Sequence, residues 1–296
     1  MSVGEGRALH GKVEIAYDTF GDLGQGEPLL LVMGLGLSML YWREEFCAGL
    51  VEHGFAVARF DNRDTGLSTR FSGTRPPRVV AVLRNPAWAP YRLEDMADDA
   101  VAVLDTLRWD SAHIVGMSLG GMIAQTVAIR HPTRTRTLTC ISSTPHWRIG
   151  RRTLWTTFRL RRARRAGDLA ERLVRGHWVI GSPAYPPDEQ WLRDLARRIT
   201  ERGGSDPNAA RRQGAAILAS GDRRSVLATL RVPTLVLHGA ADPMIRPAAG
   251  RALAATIPDA KLVIFPGMGH DLPRPLWPAV IAEIDALANP LGAEES

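Results

Sequence analysis

At 296 residues the chain suits one large domain, or one domain carrying an insertion, and is short for two ordinary ones. A hydrophobic content of 45% is that of a globular protein and excludes a disordered chain, while only two cysteines, Cys47 and Cys140, exclude a disulfide scaffold and read as buried thiols. The net charge of +6 is local: ten arginines against two acids fall between Trp147 and Arg175, with no zinc-finger spacing or aromatic RNA-binding motif, so nucleic acid is not an expected partner.

The first residues, Met1 to Arg7, lack the apolar stretch of a secretory signal, and no apolar run approaches the roughly 18 residues of a membrane span. A cytoplasmic protein without integral membrane association is expected. The sequence does not indicate an oligomeric state. In chain order, Val13 to Tyr17 alternates and ends at Gly21-Asp22, as a strand and turn would. Short, continuous apolar runs follow at Leu29 to Met33, Ala56 to Phe60, His113 to Gly116, Thr137 to Ile141, Thr234 to His238 and Lys261 to Phe265. Strands this apolar are covered on both faces, which predicts a mostly parallel sheet under helices. Helices are predicted over Leu93 to Leu107, Gly120 to Arg130, Pro247 to Thr256 and Trp277 to Leu287. The βαβ alternation predicts an α/β open sheet.

The alternation breaks between about Pro145 and Thr229, where no strand pattern appears. The expected organisation is a core of residues 1–144 and 230–296 with a helical cap insertion over 145–229. The cap's arginines read first as a solvated face, with contact to an anionic surface as the second reading. Its tryptophans Trp147, Trp155 and Trp178 are candidate walls of a substrate pocket.

Gly116-Met117-Ser118-Leu119-Gly120 has the G-x-S-x-G form of a nucleophile elbow. A strand leads in and a helix leads out, so glycines at its flanks let the Ser118 hydroxyl project at the strand's C-terminal end. A serine nucleophile needs a base, and the base an orienting acid. His270 follows the last predicted strand within Pro266-Gly267-Met268-Gly269-His270 and is the first choice; His238, at a strand end, is the rival. Asp242, in Gly239-Ala240-Ala241-Asp242-Pro243, is the first choice of acid. Asp61 and Asp64 compete for that role but read, with Arg63, as a structural turn and salt-bridge cluster. The order Ser118, Asp242, His270 is the one expected of the α/β-hydrolase arrangement. The N–H groups of Leu119 and of Leu35, with Gly34 second, are candidate oxyanion donors. No cluster of His, Cys or carboxylate has metal-ligand spacing, so neither metal nor cofactor is expected.

These motifs, in this order, resemble the α/β-hydrolase superfamily over nearly the whole chain. Leu29 to Gly34, Phe60-Asp61-Asn62-Arg63-Asp64-Thr65-Gly66-Leu67-Ser68 and the Pro266 to His270 stretch narrow the resemblance to the aclacinomycin methylesterase-like carboxylic-ester hydrolases. The resemblance implies an α/β-hydrolase fold, a mostly parallel sheet flanked by helices with a helical cap. It implies catalytic residues at Ser118, Asp242 and His270, and oxyanion donors at Leu35 and Leu119. The expectation is a serine esterase acting on a small-molecule carboxylic ester through an acyl-enzyme. Lactonase, perhydrolase and C–C hydrolase chemistry fit the same three residues. A protein that keeps the three residues only to recognise a ligand is the non-enzymatic alternative.

Overall fold

A computed structural model describes residues 4–71, 73–74, 77–165, 167–204, 206 and 208–290. Eight strands form one sheet: β1 (Gly4–His10), β2 (Val13–Phe20), β3 (Glu27–Val32), β4 (Phe55–Phe60), β5 (Ala112–Met117), β6 (Thr135–Ile141), β7 (Thr234–Gly239) and β8 (Lys261–Phe265). Their spatial order is β1-β2-β4-β3-β5-β6-β7-β8. From β4 onward every pairing in that order is parallel; β1 with β2 and β2 with β4 are antiparallel. The architecture is the α/β-hydrolase fold.

The seven strands expected from the sequence are present. β1 is an addition that apolar patterning does not announce. It is an edge strand with only Ala8 buried, formed because the tight turn at Gly11, φ +60°, folds it back on β2.

The parallel strands show why their sequences read as unbroken apolar runs. On one face Leu30, Val32, Ala58 and Ile114 pack under α3 (Leu93–Thr106), α4 (Leu119–Arg130) and α10 (Ala248–Thr256). On the other, Leu29, Leu31, Val57, Val115 and Leu237 pack under α1 (Glu44–Glu52) and α11 (Trp277–Ala288). Successive side chains alternate between two buried faces, so both must be apolar. α3 opens where Asp95 Oδ2 accepts the Arg92 N–H at 2.7 Å, and its early acids suit the positive end of the helix dipole. α4 is buried along its whole length from Leu119 to Ala128, beneath the sheet's centre. A short helix, α2 (Val79–Arg84), follows β4.

Between β6 and β7 run α5 (Leu154–Ala163), α6 (Leu169–Ile180), α7 (Glu189–Glu201), α8 (Ala209–Ala219) and α9 (Arg224–Leu227). Among the described residues this segment contributes no strand, only an isolated bridge between Arg151 and Ile245. Buried ion pairs tie it to the sheet's loops. Arg212 of α8, fully buried, donates to both Asp64 oxygens at 2.8 and 2.7 Å. Among the described residues no helix is long and apolar enough to cross a membrane.

One buried histidine makes stability depend on pH. His113 in β5 meets the Phe55 ring edge-to-face, 5.7 Å between centroids, and its Nδ1 lies 2.9 Å from Thr137 Oγ1. Burial, and then the charge of Arg136, push its pKa down to about 4. Between about pH 6.5 and that value the unfolded chain takes up a proton that the folded chain refuses. This contribution is therefore whole above about pH 6.5 and is lost as the pH falls toward 4, at roughly 1.4 kcal/mol per unit. Urea midpoints should fall more steeply with acidification in the wild type than in His113→Gln. Equal slopes would remove His113 as the cause.

Candidate active site

β5 ends at Met117 and α4 begins at Leu119, which leaves Ser118 alone in the turn at φ 58°, ψ −117°. This backbone conformation is costly for a residue with a Cβ and persists only where the surroundings impose it. Two close approaches impose it here. A Cβ on Gly116 would lie 2.2 Å from the Gly120 carbonyl oxygen, and one on Gly120 only 2.0 Å from that of Val32. The Ser118 N–H donates to the Ile141 carbonyl at 2.8 Å, and Ser143 Oγ donates to the Ser118 carbonyl at 2.8 Å. The strained turn is thus pinned from β6 and from the loop that follows it.

His270 and Asp242 reach Ser118 from the ends of the last two strands. His270 Nε2 lies 3.0 Å from Ser118 Oγ, and His270 Nδ1 lies 2.7 Å from Asp242 Oδ2. Asp242 Oδ1 accepts the N–H groups of Met244 and Ile245 at 2.8 and 2.9 Å. Burial acts to raise the pKa of the Asp242 carboxyl. The charge of His270, its hydrogen bond, His238 and the Ile245 amide outweigh that and hold it below the usual carboxylate value. An ionised carboxylate only accepts, so Nδ1 of His270 carries the proton and Nε2 of the neutral ring is free to accept from the serine hydroxyl.

The rivals are occupied elsewhere. His238 Nε2 lies 2.7 Å from the Ile245 carbonyl, behind Asp242. Asp61 accepts the N–H groups of Met39 and Leu67 and pairs with Arg202 at 3.0 Å. Asp64 is filled by Arg212, the Tyr91 hydroxyl and the Phe71 N–H. Arg63 pairs with Asp99.

The segment between β6 and β7 grips the histidine loop directly. The His270 N–H donates to the Ile180 carbonyl at 2.7 Å, and the Gly269 N–H to Ser182 Oγ at 2.8 Å. Asp271 is held by the Ser182 hydroxyl and by His177, 2.8 Å away. A Cβ on Gly269 would lie 2.2 Å from the Gly181 carbonyl oxygen, so the two backbones meet there. Sequence patterning missed Ser182, His177 and Asp271, because their roles depend on a contact between segments about 90 residues apart.

The turn after β3 faces the serine. A Cβ on Gly34 would stand 3.3 Å from Ser118 Cβ. The Gly36 N–H is taken by Gln213 Oε1 at 2.7 Å, and Asn62 Nδ2 donates to the Met33 carbonyl at 2.8 Å. Leu35 lines a cavity of about 940 Å³ together with Met117 and His270. Among the described residues no group of three or more His, Cys, Asp or Glu is arranged to hold a metal ion.

The cavity's walls correct the expectation about the tryptophans. None of Trp147, Trp155 and Trp178 is among its lining residues; the walls use Tyr41, Trp42, Trp191 and Trp277, with Leu160, Leu173 and Ile180. Trp155 and Trp178 are exposed, and Trp147 lies beneath the guanidinium groups of Arg148 and Arg151 at 5.0 and 5.5 Å. Trp42 and Trp277 come from the sheet's own loops and helices, where a search confined to the insertion does not look. The arginines from Arg148 to Arg175 face water, as a solvated face predicts, and the exposed Arg164 and Arg172 also border the cavity.

The family described as the alpha/beta hydrolase fold matches residues 27–273. The chain is 30% identical to the rhodomycin D methylesterase DauP of Streptomyces sp. (strain C5), over 88% of this chain and 91% of that protein. It is also 30% identical to the rhodomycin D methylesterase DnrP of Streptomyces peucetius, over 88% and 91%. Among solved structures it resembles a meta-cleavage product hydrolase from Pseudomonas fluorescens IP01, with a TM-score of 0.72 at 19% identity over 96% of this chain and 97% of that one.

Proposed function

The chain belongs to the alpha/beta hydrolase fold family and is a hydrolase, and from that premise we propose that it cleaves a carboxylic ester through Ser118, His270 and Asp242. The observation that carries the proposal is the unbroken hydrogen-bond chain from Ser118 Oγ through both ring nitrogens of His270 to Asp242, beside a largely apolar cavity. Similarity to two methylesterases supports an ester, methyl esters included.

In this mechanism Ser118 Oγ attacks the ester carbonyl as His270 Nε2 takes its proton. Asp242 keeps Nδ1 protonated and stabilises the imidazolium that forms. The N–H groups of Leu119, at the start of α4, and of Leu35 bind the developing oxyanion. Gln213 occupies the Gly36 N–H and so leaves the turn's candidates as Leu35, the first choice, and Gly34. His270 then returns the proton to the leaving alcohol, and water, activated by the same ring, releases the acid from the acyl-enzyme. Residues 145–229 act as a cap on a core of residues 1–144 and 230–296, and α5, α6 and α7 supply one side of the substrate's surroundings. A cavity of this size, walled by the six aromatic side chains Tyr41, Trp42, Phe46, Tyr185, Trp191 and Trp277, suits a bulky acyl group.

A panel of p-nitrophenyl and methyl esters, graded from acetate to polycyclic aromatic acids, tests the reading. Turnover of esters, with kcat/KM rising toward the bulkier acids, is the expected result. Turnover confined to lactones or to vinylogous diketones would move the chemistry to another bond.

A further inference from the structure

The helix α5 carries a surface that the proposed ester chemistry does not use. Its buried side is narrow: Thr156, Leu160 and Ala163. The opposite side exposes three large apolar residues, Leu154 at 90%, Trp155 at 66% and Phe158 at 57% of their surface. The rings of Trp155 and Phe158 stack on each other, 5.9 Å apart, and not on the rest of the fold. At about 100° per residue these three share one outward arc with Arg159, Arg161 and Arg162, all exposed. Arg151, Arg152 and Arg165 flank the same helix and are also exposed.

Two features of this face are unfavourable in water. The first is the apolar exposure. The second is the charge: among the described residues no carboxylate lies within 4.0 Å of any arginine from Arg148 to Arg165, although ion pairs are frequent elsewhere in the chain. A single occupant that relieves both must offer negative charge and an apolar interior within one side-chain length of each other.

We propose that α5 is a membrane-docking element that binds the surface of an anionic lipid bilayer. Leu154, Trp155 and Phe158 enter the headgroup and upper acyl region, and the interleaved arginines meet lipid phosphates. A nucleic acid or an acidic protein would answer the charge but not a leucine that is nine-tenths exposed at the tip of the helix. Leu160, on the buried side of the same helix, borders the cavity, so the cavity and the docked face lie on opposite sides of α5. Hydrolysis does not depend on this surface, and the two readings stand or fall separately.

Sedimentation of the full chain with vesicles tests it, using phosphatidylcholine alone or with about one third phosphatidylglycerol, at low and high salt. The expected result is binding to the anionic vesicles only, weakened at least about tenfold by raising the salt to several tenths molar. Arg159→Gln, Arg161→Gln, Arg162→Gln and Arg165→Gln together should abolish binding. Leu154→Ser, Trp155→Ser and Phe158→Ser together should weaken it by about tenfold or more, because burial of apolar surface is half of the attachment. Both variants should turn over a water-soluble ester at the wild-type rate, which shows that they are folded. Absence of binding to anionic vesicles overturns the proposal. So does binding that the apolar triple variant leaves intact, or wild-type affinity for polyglutamate or RNA equal to that for the vesicles, since charge alone would then account for the face.

Discussion

Ser118→Ala should abolish ester turnover, with kcat falling by about 10⁴- to 10⁶-fold, while the protein remains folded. The expectation of an intact fold rests on the turn. Its strain arises from the Cβ at φ 58°, which alanine retains, and the hydroxyl's hydrogen-bond partner is His270. The loss therefore isolates the nucleophile. The remaining activity would come from the oxyanion donors and from binding, and neither needs the hydroxyl. Steady-state turnover of a p-nitrophenyl ester, with circular dichroism as the check on folding, measures it. A fluorophosphonate should label Ser118 in the wild type and leave the variant unlabelled. Turnover within tenfold of the wild type, or a label on Ser142 or Ser143, would remove Ser118 from the mechanism.

Asp242→Asn should cost about 10⁴-fold in kcat, an effect that depends on which way the new amide faces. Oδ1 of Asp242 accepts two backbone N–H groups, from Met244 and Ile245. An asparagine must turn its carbonyl oxygen to those donors, because its NH₂ group would otherwise oppose two N–H groups in a buried site. The NH₂ is then left facing His270 Nδ1, which must become the acceptor. The ring's proton moves to Nε2, where it opposes the serine hydroxyl, and the base is lost with little movement of atoms. The matching substitution Asp61→Asn should spare kcat by comparison, because Asp61 serves the Met39 and Leu67 amides and Arg202. Near-normal turnover in Asp242→Asn with a large loss in Asp61→Asn would transfer the acid's role. Parallel kcat measurements on the two variants decide between them.

Much of this architecture is legible without coordinates, because much of it is local. A strand buried on both faces is apolar at most of its positions, so β3 to β7 announce themselves as short, largely apolar runs even though Arg59 and His113 are buried within them. The turn at Ser118 is legible because backbone atoms pass within about 2 Å of where a Cβ would stand on Gly116 and Gly120, which glycine alone permits. Asp242 and His270 each follow a strand, and in a parallel sheet the ends of successive strands share one edge. Chain order thus carried the relation among all three side chains.

What the sequence could not carry is contact across that edge. β1 has one buried residue, and its place in the sheet comes from pairing with β2. Ser182 and His177 act on a loop near position 270 through a meeting of backbones about 90 residues apart. Trp147, Trp155 and Trp178 are the tryptophans expected to wall the cavity, yet none of them lines it, and Trp191 of the same segment does so with Tyr41, Trp42 and Trp277 from the core. Composition and periodicity report whether a residue is compatible with burial and on which side of its own element it lies. They do not report which foreign element that side meets, because packing between distant segments is set by the closure of the whole core. The sequence by itself therefore determined seven of the sheet's eight strands, the turn and the order of the three side chains, and the tertiary structure alone decided the place of β1 and what surrounds the site.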